Sequence, residues 1–177
     1  VPTNTDGSRR EPITVDLSQE KTPYPAQSKS AEIGSVVPTN MAQSISRTLN
    51  EIGDVDAYVS NKLGYKSKEE LYGYLAAEQV DGVAMAIHQM ERGKGFIIGD
   101  MTGVGKGRQA AAIIRYANQR GLKPIFVTEK ATLFSDIYRD LRDIGSADLK
   151  PFILNSKDAD RDPTMTDEEG NVVYEPL

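Results

Sequence analysis

The sequence predicts an α/β fold in which a small helical region and an extended arm precede a parallel sheet. Residues 95–108, GFIIGDMTGVGKGR, join a short apolar run to a glycine-rich turn, a lysine and the beginning of a helical pattern. Two further apolar runs, Ile125–Val127 and Phe152–Leu154, alternate with amphipathic helical patterns. Strand, helix and strand in this order form a βαβ unit, so we expect parallel strands joined by right-handed crossovers.

Residues 1–36 are expected to form an extended, proline-rich arm. They combine four prolines with many Ser, Thr and charged residues, and they keep neither a helical nor a strand period for long.

Residues 37–93 are expected to form a helical region. Asn40, Asp54 and Ser67 are placed to cap three successive helices, and Glu70 lies where it would complete a capping box with Ser67. We expect these three helices to be structural and to pack beside the core.

A fourth helix is predicted from Glu78 to Arg92. Its apolar stripe places Gln79, Asp81 and His88 near or off the edges, where helical side chains are usually solvated. His88 is the only histidine and has no cluster of other metal ligands around it, so we expect a surface residue. The stripe consists of Val80, Val83, Ala84, Ile87 and Met90.

The glycine-rich turn predicts a phosphate-binding loop. Gly103 and Gly105 allow a sharp turn with inward-pointing N–H groups, and a helix starting near Lys106 adds its positive end. The Lys106 ammonium would supply a full charge to the β- and γ-phosphates, so a nucleoside triphosphate is the expected ligand. A plain glycine-rich turn between a strand and a helix is the structural alternative.

The loop departs from the general pattern G-x-x-x-x-G-K-[ST] at two positions. Asp100 stands at the first glycine, and Gly107 stands where a Ser or Thr hydroxyl normally binds Mg²⁺. Any Mg²⁺ must therefore be held by another group or by water, and the sequence leaves the metal ligands open.

Residues 94–155 are expected to form part of the sheet core, and residues 156–177 an acidic loop or insertion. One core helix should end at Gly121, and another should run from Lys130 to Ile144. The segment EEGN, residues 168–171, predicts a turn before a short apolar run.

Composition limits the class of protein. The 177 residues contain no cysteine, which excludes disulfides and thiol catalysis. No apolar run approaches the roughly 20 residues of a membrane span, and no signal-peptide pattern occurs, so a soluble protein is expected. The chain starts at Val1 rather than Met, and we expect a processed product or a piece of a larger chain.

Charge is distributed unevenly around the net value of −5. Residues 91–130 carry 8 basic against 3 acidic side chains, whereas residues 1–90 carry 8 against 12 and residues 131–177 carry 5 against 11. The one basic segment holds the glycine loop, which fits phosphate chemistry. An ordinary solvated helix face explains Arg115, Arg120 and Lys123 equally well.

Three motifs carry a resemblance to a known family. GDMTGVGKGR resembles motif I of superfamily 2 helicases and translocases, and its GVGKGR ending is similar to the strawberry notch family. PIFVTEKATLFSDIYRDLRDIG, residues 124–145, resembles motif Ia of that family. AAEQVDGVAMAI, residues 76–87, resembles its upstream adenine-recognition segment. The resemblance spans residues 37–154 and is closest to the bacterial and phage branch, which includes Dar-type antirestriction proteins.

The resemblance implies a RecA-like P-loop NTPase sheet, the first half of a helicase lobe, that uses ATP and Mg²⁺. It implies that Gln79 contacts adenine, that Lys106 is the catalytic residue, and that Thr128, Glu129 and Lys130 lie near the nucleic-acid backbone. The other residues implied at the nucleotide are Asp100, Met101, Thr102, Gly103, Val104, Gly105, Gly107 and Arg108.

The resemblance predicts the N-terminal part of an ATP-dependent DNA helicase or translocase of phage or mobile-element antirestriction type. Its implied partners are double-stranded DNA, the remaining helicase lobes, a methyltransferase region of the same larger protein, and virion proteins. The expected location is the cytoplasm or the interior of a phage virion. No segment before Leu177 fits an acidic Walker B motif. The acidic triplet at residues 167–169 is rejected because it does not follow an apolar strand. We therefore expect the chain alone to turn over little ATP.

The alternative is a structural or ejected virion protein that keeps a helicase-like fold without ATPase activity. The missing Mg²⁺ hydroxyl and Walker B motif favour it, and the presence of Lys106 and Gln79 opposes it. A small-molecule P-loop kinase leaves Gln79 unexplained, and a Rossmann dehydrogenase lacks the G-x-G-x-x-G order.

Overall fold

A computed structural model describes residues 20–99, 103–154 and 164–175 of the chain. Within these ranges the dominant feature is a packed group of α-helices. They are α1 (Thr39–Ile52), α2 (Val55–Leu63), α3 (Lys68–Tyr74), α4 (Ala77–Glu91), α5 (Lys106–Gln119) and α6 (Leu133–Asp143).

Helix α4 lies at the centre of this packing and contacts α1, α2 and α5, and α5 in turn packs on α6. The apolar stripe predicted for α4 is confirmed, since Val80, Val83 and Ile87 are fully buried. Gln79 and Asp81, near or off the edges of this stripe, are also buried, at 6% and 0% exposure. His88, expected at the surface, is partly buried, with its side chain 16% exposed. A helix covered on several sides has few solvated positions, and its polar side chains there need protein partners.

Local capping explains where several helices begin. The Asp54 carboxylate accepts a hydrogen bond from Ala57 N at 3.0 Å, and the Ser67 hydroxyl accepts one from Glu70 N at 3.2 Å. These two predicted caps are confirmed. Asn40 is not the cap of α1, which starts at Thr39 after Pro38. Proline cannot continue a helix towards its N-terminal side without a clash, so it fixes that boundary.

The described part of the arm folds back on the helices. Strand β1 (Lys21–Pro23) pairs antiparallel with β2 (Val36–Pro38), with Thr22 opposite Val37. The loop between these strands lies against α4, where Ala77 N donates to Ala31 O at 2.9 Å. The arm is therefore a docked loop in this region.

The three apolar runs expected as parallel strands, residues 96–98, 125–127 and 152–154, are not strands in the described chain. Their side chains are largely exposed, with Ile97 at 89%, Ile125 at 87% and Leu154 at 77%. The sheets found among the described residues are both two-stranded and antiparallel. The chain is thus a mixed α/β structure, and no parallel sheet is formed among its described residues. A buried parallel strand requires neighbours on both sides, which these runs lack here.

The acidic C-terminal region contains a hairpin of β3 (Met165–Thr166) and β4 (Val172–Tyr174). The predicted turn before the last apolar run is confirmed by Gly170, whose φ is +84°. The hairpin packs on α6, where the Ser135 hydroxyl accepts a hydrogen bond from Thr166 N at 3.0 Å.

Among the described residues, no helix combines the length and apolar character needed to cross a membrane.

Candidate functional site

The glycine-rich turn leads directly into α5. Gly103 and Gly105 have φ values of +99° and +78°, in the left-handed region that favours glycine, and Lys106 is the first residue of the helix. Val104 between them is 7% exposed. The predicted glycine turn and helix start are confirmed in this part, and phosphate binding by the turn stays a prediction. Asp100, Met101 and Thr102 lie outside the described residues.

Gln79, in the first turn of α4, holds this loop through its side-chain amide. Its Nε2 donates to Val104 O at 2.9 Å, and its Oε1 accepts from Ala76 N at 3.0 Å. The packing is tight, because a Cβ built at Gly105 would overlap Gln79 Nε2. The structure therefore brings together two motifs that lie 25 residues apart in sequence.

In these contacts the Gln79 amide bonds to the backbone of its own chain. An amide oxygen has two lone pairs and an amide nitrogen has two hydrogens, so each end has capacity beyond these bonds. An adenine contact would have to use that remaining capacity at a side chain that is only 6% exposed.

Arg108, in the first turn of α5, connects three helices. Its guanidinium donates to Tyr74 O, at the end of α3, at 2.9 Å. It also pairs with Asp143, at the end of α6, at 3.4 Å. These contacts give Arg108 a role in fixing how the start of α5 sits between its neighbours.

Gly107 lies against the side chain of Asp140 on α6. A Cβ built at Gly107 would overlap Asp140 Oδ2 and would lie 3.0 Å from Asp140 Cγ. A carboxylate oxygen thus fills the space that a Ser or Thr side chain would occupy at this position. Sequence reasoning missed Asp140, although the glycine in place of a hydroxyl residue indicated that some other group was needed.

The surroundings of Asp140 disfavour its charged form. Burial raises the pKa of this carboxyl above its usual value; the positive charges of Arg139 and Arg108 act in the opposite direction, and nearby Asp143 and Asp136 raise it further. A cation near this carboxylate would favour its charged form, offsetting both the loss of hydration and the repulsion from the neighbouring carboxylates.

Two buried carboxylates flank Gln79 on α4 and hold the arm. Glu78 accepts hydrogen bonds from three successive backbone N–H groups, those of Ile33, Gly34 and Ser35, at 2.8, 2.9 and 3.2 Å. Burial acts to raise the pKa of Glu78, but these backbone bonds prevail and lower it.

Asp81, one turn further along α4, accepts from Gln27 N at 2.9 Å and from Ser28 N at 3.0 Å. Complete burial raises its pKa to about 6 despite these two bonds. On the neighbouring helix α2, Asp56 accepts from the Ser28 hydroxyl at 2.6 Å and from Lys29 N at 2.9 Å. One turn of α4 therefore contacts the arm and the glycine loop together.

The residues expected near nucleic acid precede α6. Glu129 and Lys130 are exposed, and Thr128 is partly buried. The Thr128 hydroxyl accepts from Lys130 N at 3.4 Å, and Lys130 O accepts from Leu133 N at 3.1 Å. They form a short exposed turn leading into the helix that carries Asp140.

An apolar cavity of about 540 Å³ lies between helices α5 and α6 and two of the segments predicted as strands, residues 125–127 and 152–154. Residues 103–107, the described part of the glycine loop and the start of α5, do not line it. Its walls include Ile125, Phe126, Ile137, Phe152 and Leu154. Elsewhere, the described residues contain no cluster of three or more His or acidic side chains able to hold a metal ion.

Residues 37–173 match the family model described as P-loop containing NTP hydrolase pore-1. That range contains Gln79, the glycine loop and Asp140. No solved structure gives a significant match.

Curated relatives with significant similarity are strawberry notch proteins. The chain is 37% identical over 90 residues to the strawberry notch homolog of Caenorhabditis elegans, which covers 47% of this chain and 5% of that protein. It is 32% identical over 115 residues to strawberry notch of Drosophila melanogaster, covering 61% of this chain and 7% of the relative. For human strawberry notch homolog 2 the identity is 39% over 90 residues, covering 47% and 7%. The chain thus spans only about a twentieth to a fourteenth of these relatives.

Proposed function

This chain belongs to the P-loop containing NTP hydrolase pore-1 family, and we propose that it is the nucleotide-binding N-terminal part of an ATP-dependent DNA helicase or translocase. The observation that carries the proposal is the hydrogen bond from Gln79 Nε2 to Val104 O, 2.9 Å long. It joins the adenine-recognition-like segment to the phosphate-loop motif, which a plain glycine turn would not need.

In the proposed site the loop N–H groups around Gly103 and Gly105, with the first turn of α5, bind the phosphates. Lys106 supplies the positive charge for the β- and γ-phosphates, and Gln79 holds the loop while facing the base. In this proposal Asp100, Met101, Thr102 and Arg108 also lie at the borders of the phosphates. ATP would supply the γ-phosphate whose transfer to water drives movement on DNA.

Mg²⁺ fits this site without a Ser or Thr hydroxyl. Magnesium commonly keeps several waters and binds through one or two carboxylates together with substrate phosphates. Asp140 Oδ2 occupies the space beside Gly107 where the hydroxyl would lie, so a carboxylate is available there.

We also propose that residues 96–98, 125–127 and 152–154 become adjacent strands of a RecA-like parallel sheet when the rest of the larger protein supplies the missing neighbours. Most of their apolar side chains are exposed, and the second and third runs line the 540 Å³ cavity, which supports this. Two-sided burial is typical of such strands. The same larger protein would supply the Walker B carboxylate and the second lobe.

For the substrate, we propose double-stranded DNA, contacted by the turn of Thr128, Glu129 and Lys130. The basic balance of residues 91–130 supports this. The narrowest form of the proposal is an antirestriction motor of phage or mobile-element type, working beside a methyltransferase region and located in the cytoplasm or in a virion. Its test is peptide mass spectrometry of purified virions, together with the complete gene sequence.

The test of nucleotide binding uses the protein produced from its complete gene and a fluorescent ATP analogue with Mg²⁺. Lys106→Ala should weaken binding about 10- to 100-fold, because it removes a hydrogen bond between charged groups. Lys123→Ala is the matched control, since this lysine is exposed in the same basic segment. Equal affinities for the wild-type and Lys106→Ala proteins would rule out the proposed site.

A further inference from the structure

The pair of Gly107 and Asp140 departs from the usual phosphate loop in a complementary way. The hydroxyl residue that normally binds Mg²⁺ is replaced by glycine, which has no side chain. From a different helix, Asp140 places Oδ2 where the Cβ of a residue at position 107 would lie. The Asp140 carboxylate therefore fills the space of the missing side chain at position 107 and offers an oxygen in place of the missing hydroxyl.

We propose that Asp140 is the magnesium ligand of this site, taking the place of the absent Ser or Thr hydroxyl directly or through one bound water. The inference rests on the proposed nucleotide site, because the metal would arrive with the phosphates. Oxygen ligands and a negative charge are what Mg²⁺ prefers.

The neighbouring contacts leave this carboxylate available for a cation. Arg108 contributes positive charge at Asp140, but its guanidinium donates to Tyr74 O and Asp143. Asp136, one turn before Asp140 on α6, pairs with Arg139 at 3.3 Å. Asp140 is thus flanked by carboxylates that have basic partners, and its own oxygen points at the start of α5.

A structural carboxylate and a magnesium ligand predict different effects on nucleotide binding. If Asp140 only fills the space beside Gly107, removing its charge should change nucleotide affinity equally with and without metal. If it binds Mg²⁺, removing its charge should weaken metal-dependent binding. It should also strengthen metal-free binding, because a negative group near the phosphates is gone.

The experiment measures affinity for a fluorescent, non-hydrolysable ATP analogue in Mg²⁺ and in EDTA, using the protein from its complete gene. Mn²⁺ electron paramagnetic resonance with the same analogue gives metal affinity directly. Asp140→Asn should weaken the Mn²⁺ affinity of the nucleotide complex by about tenfold or more, because outer-shell partners of a metal already contribute 10- to 100-fold. Asp136→Asn, which removes the same charge one turn away, should leave it unchanged.

A double variant tests the position of the ligand. Gly107→Ser alone should fold poorly or bind weakly, because its side chain overlaps Asp140. Combining Gly107→Ser with Asp140→Ala should recover metal-dependent binding relative to Asp140→Ala alone.

Three results would overturn the proposal. They are Mn²⁺ affinity unchanged in Asp140→Asn, equal losses with and without metal, and a folded double variant no better than Asp140→Ala. Failure of the wild-type protein to bind the analogue at all would refute the nucleotide site and this inference together. That outcome is seen before any substitution is made.

Discussion

Gln79 shows how one residue can serve two parts of a fold. Its amide oxygen accepts from Ala76 N and so completes the first turn of α4, while its amide nitrogen donates to the glycine loop. The residues beside it along the helix, Glu78 and Asp81, bind the arm instead. A small shift of this turn would therefore be felt at both the arm and the loop.

The sequence could identify Gln79 only through its resemblance to a motif. Its helical period placed it near the edge of the apolar stripe, because periodicity records which side chains are apolar and not which polar ones find buried partners. Asp140 was harder to predict. Its contact with Gly107 depends on how α5 and α6 pack, which neither residue's local sequence determines.

Asp81 predicts a pH dependence of stability. Its pKa is raised to about 6 in the folded chain from 3.8, so the folded state binds the proton more tightly than the unfolded state. The stability that this proton confers is fully present below pH 4 and is lost as the pH rises through 6. The wild-type chain should therefore lose stability relative to Asp81→Asn between pH 4 and 7, with a slope of at most about 1.4 kcal/mol per pH unit.

Urea unfolding of both proteins across that range measures the difference. Changes common to both proteins cancel, so only the titration of residue 81 remains. The quantity to follow is the free energy of unfolding of the wild-type chain minus that of Asp81→Asn, which should fall as the pH rises. If it stays flat or rises, Asp81 has an ordinary or lowered pKa.

At the scale of elements, local capping residues determine where two helices begin, and a close approach at Gly82 determines how α4 packs on α5. Ser67 and Asp54 fix helix starts that the sequence predicted. The contact of α4 with α5 instead depends on Gly82, where an added Cβ would overlap Oε1 of the fully buried Gln109 and lie 3.2 Å from its Cδ. No local pattern marks this glycine as a packing residue.

Substituting Gly82 should separate packing from helix propensity. Gly82→Ala should lower the free energy of unfolding by about 1–3 kcal/mol, because the core must expand around the new methyl group. Gly73→Ala in α3 is the matched control. Nothing lies within 4 Å of its added Cβ, so the better helix former should raise stability by up to about 1 kcal/mol. Chemical denaturation measures both, and two changes of the same sign would contradict this account of the α4–α5 contact.

At the scale of the whole molecule, the helices pack into a core. The three apolar segments, residues 96–98, 125–127 and 152–154, remain largely exposed. Short apolar runs between helices predict strands at these segments. The described residues do not form them, because sheet formation depends on neighbours that are distant in sequence. The described residues therefore form a mixed α/β structure that contains the helices predicted beside the sheet but not its parallel strands.

The exposed segments give a prediction for the 177-residue chain studied alone. Ile97, Ile125 and Val127 are 84–89% exposed, so the chain should bind a hydrophobic dye and self-associate at micromolar concentration. The triple variant Ile97→Thr, Ile125→Thr and Val127→Thr should reduce both effects by at least half while keeping the helical circular dichroism. Dye fluorescence and light scattering measure this. A monomeric wild-type chain without dye binding would mean that these residues are covered in solution.

The docking of the arm has a consequence for how this protein can diverge. Glu78 and Asp81 accept hydrogen bonds from main-chain N–H groups of the arm at Gln27, Ser28, Ile33, Gly34 and Ser35, and the Ser35 hydroxyl adds one side-chain bond to Glu78 at 3.3 Å. Every amino acid except proline offers a main-chain N–H group. The arm can therefore exchange most of its side chains over evolutionary time, provided that its path is preserved and no proline enters those five positions. Ser28 and Ser30 are exceptions, because their hydroxyls donate to Asp56 and to Leu75 O.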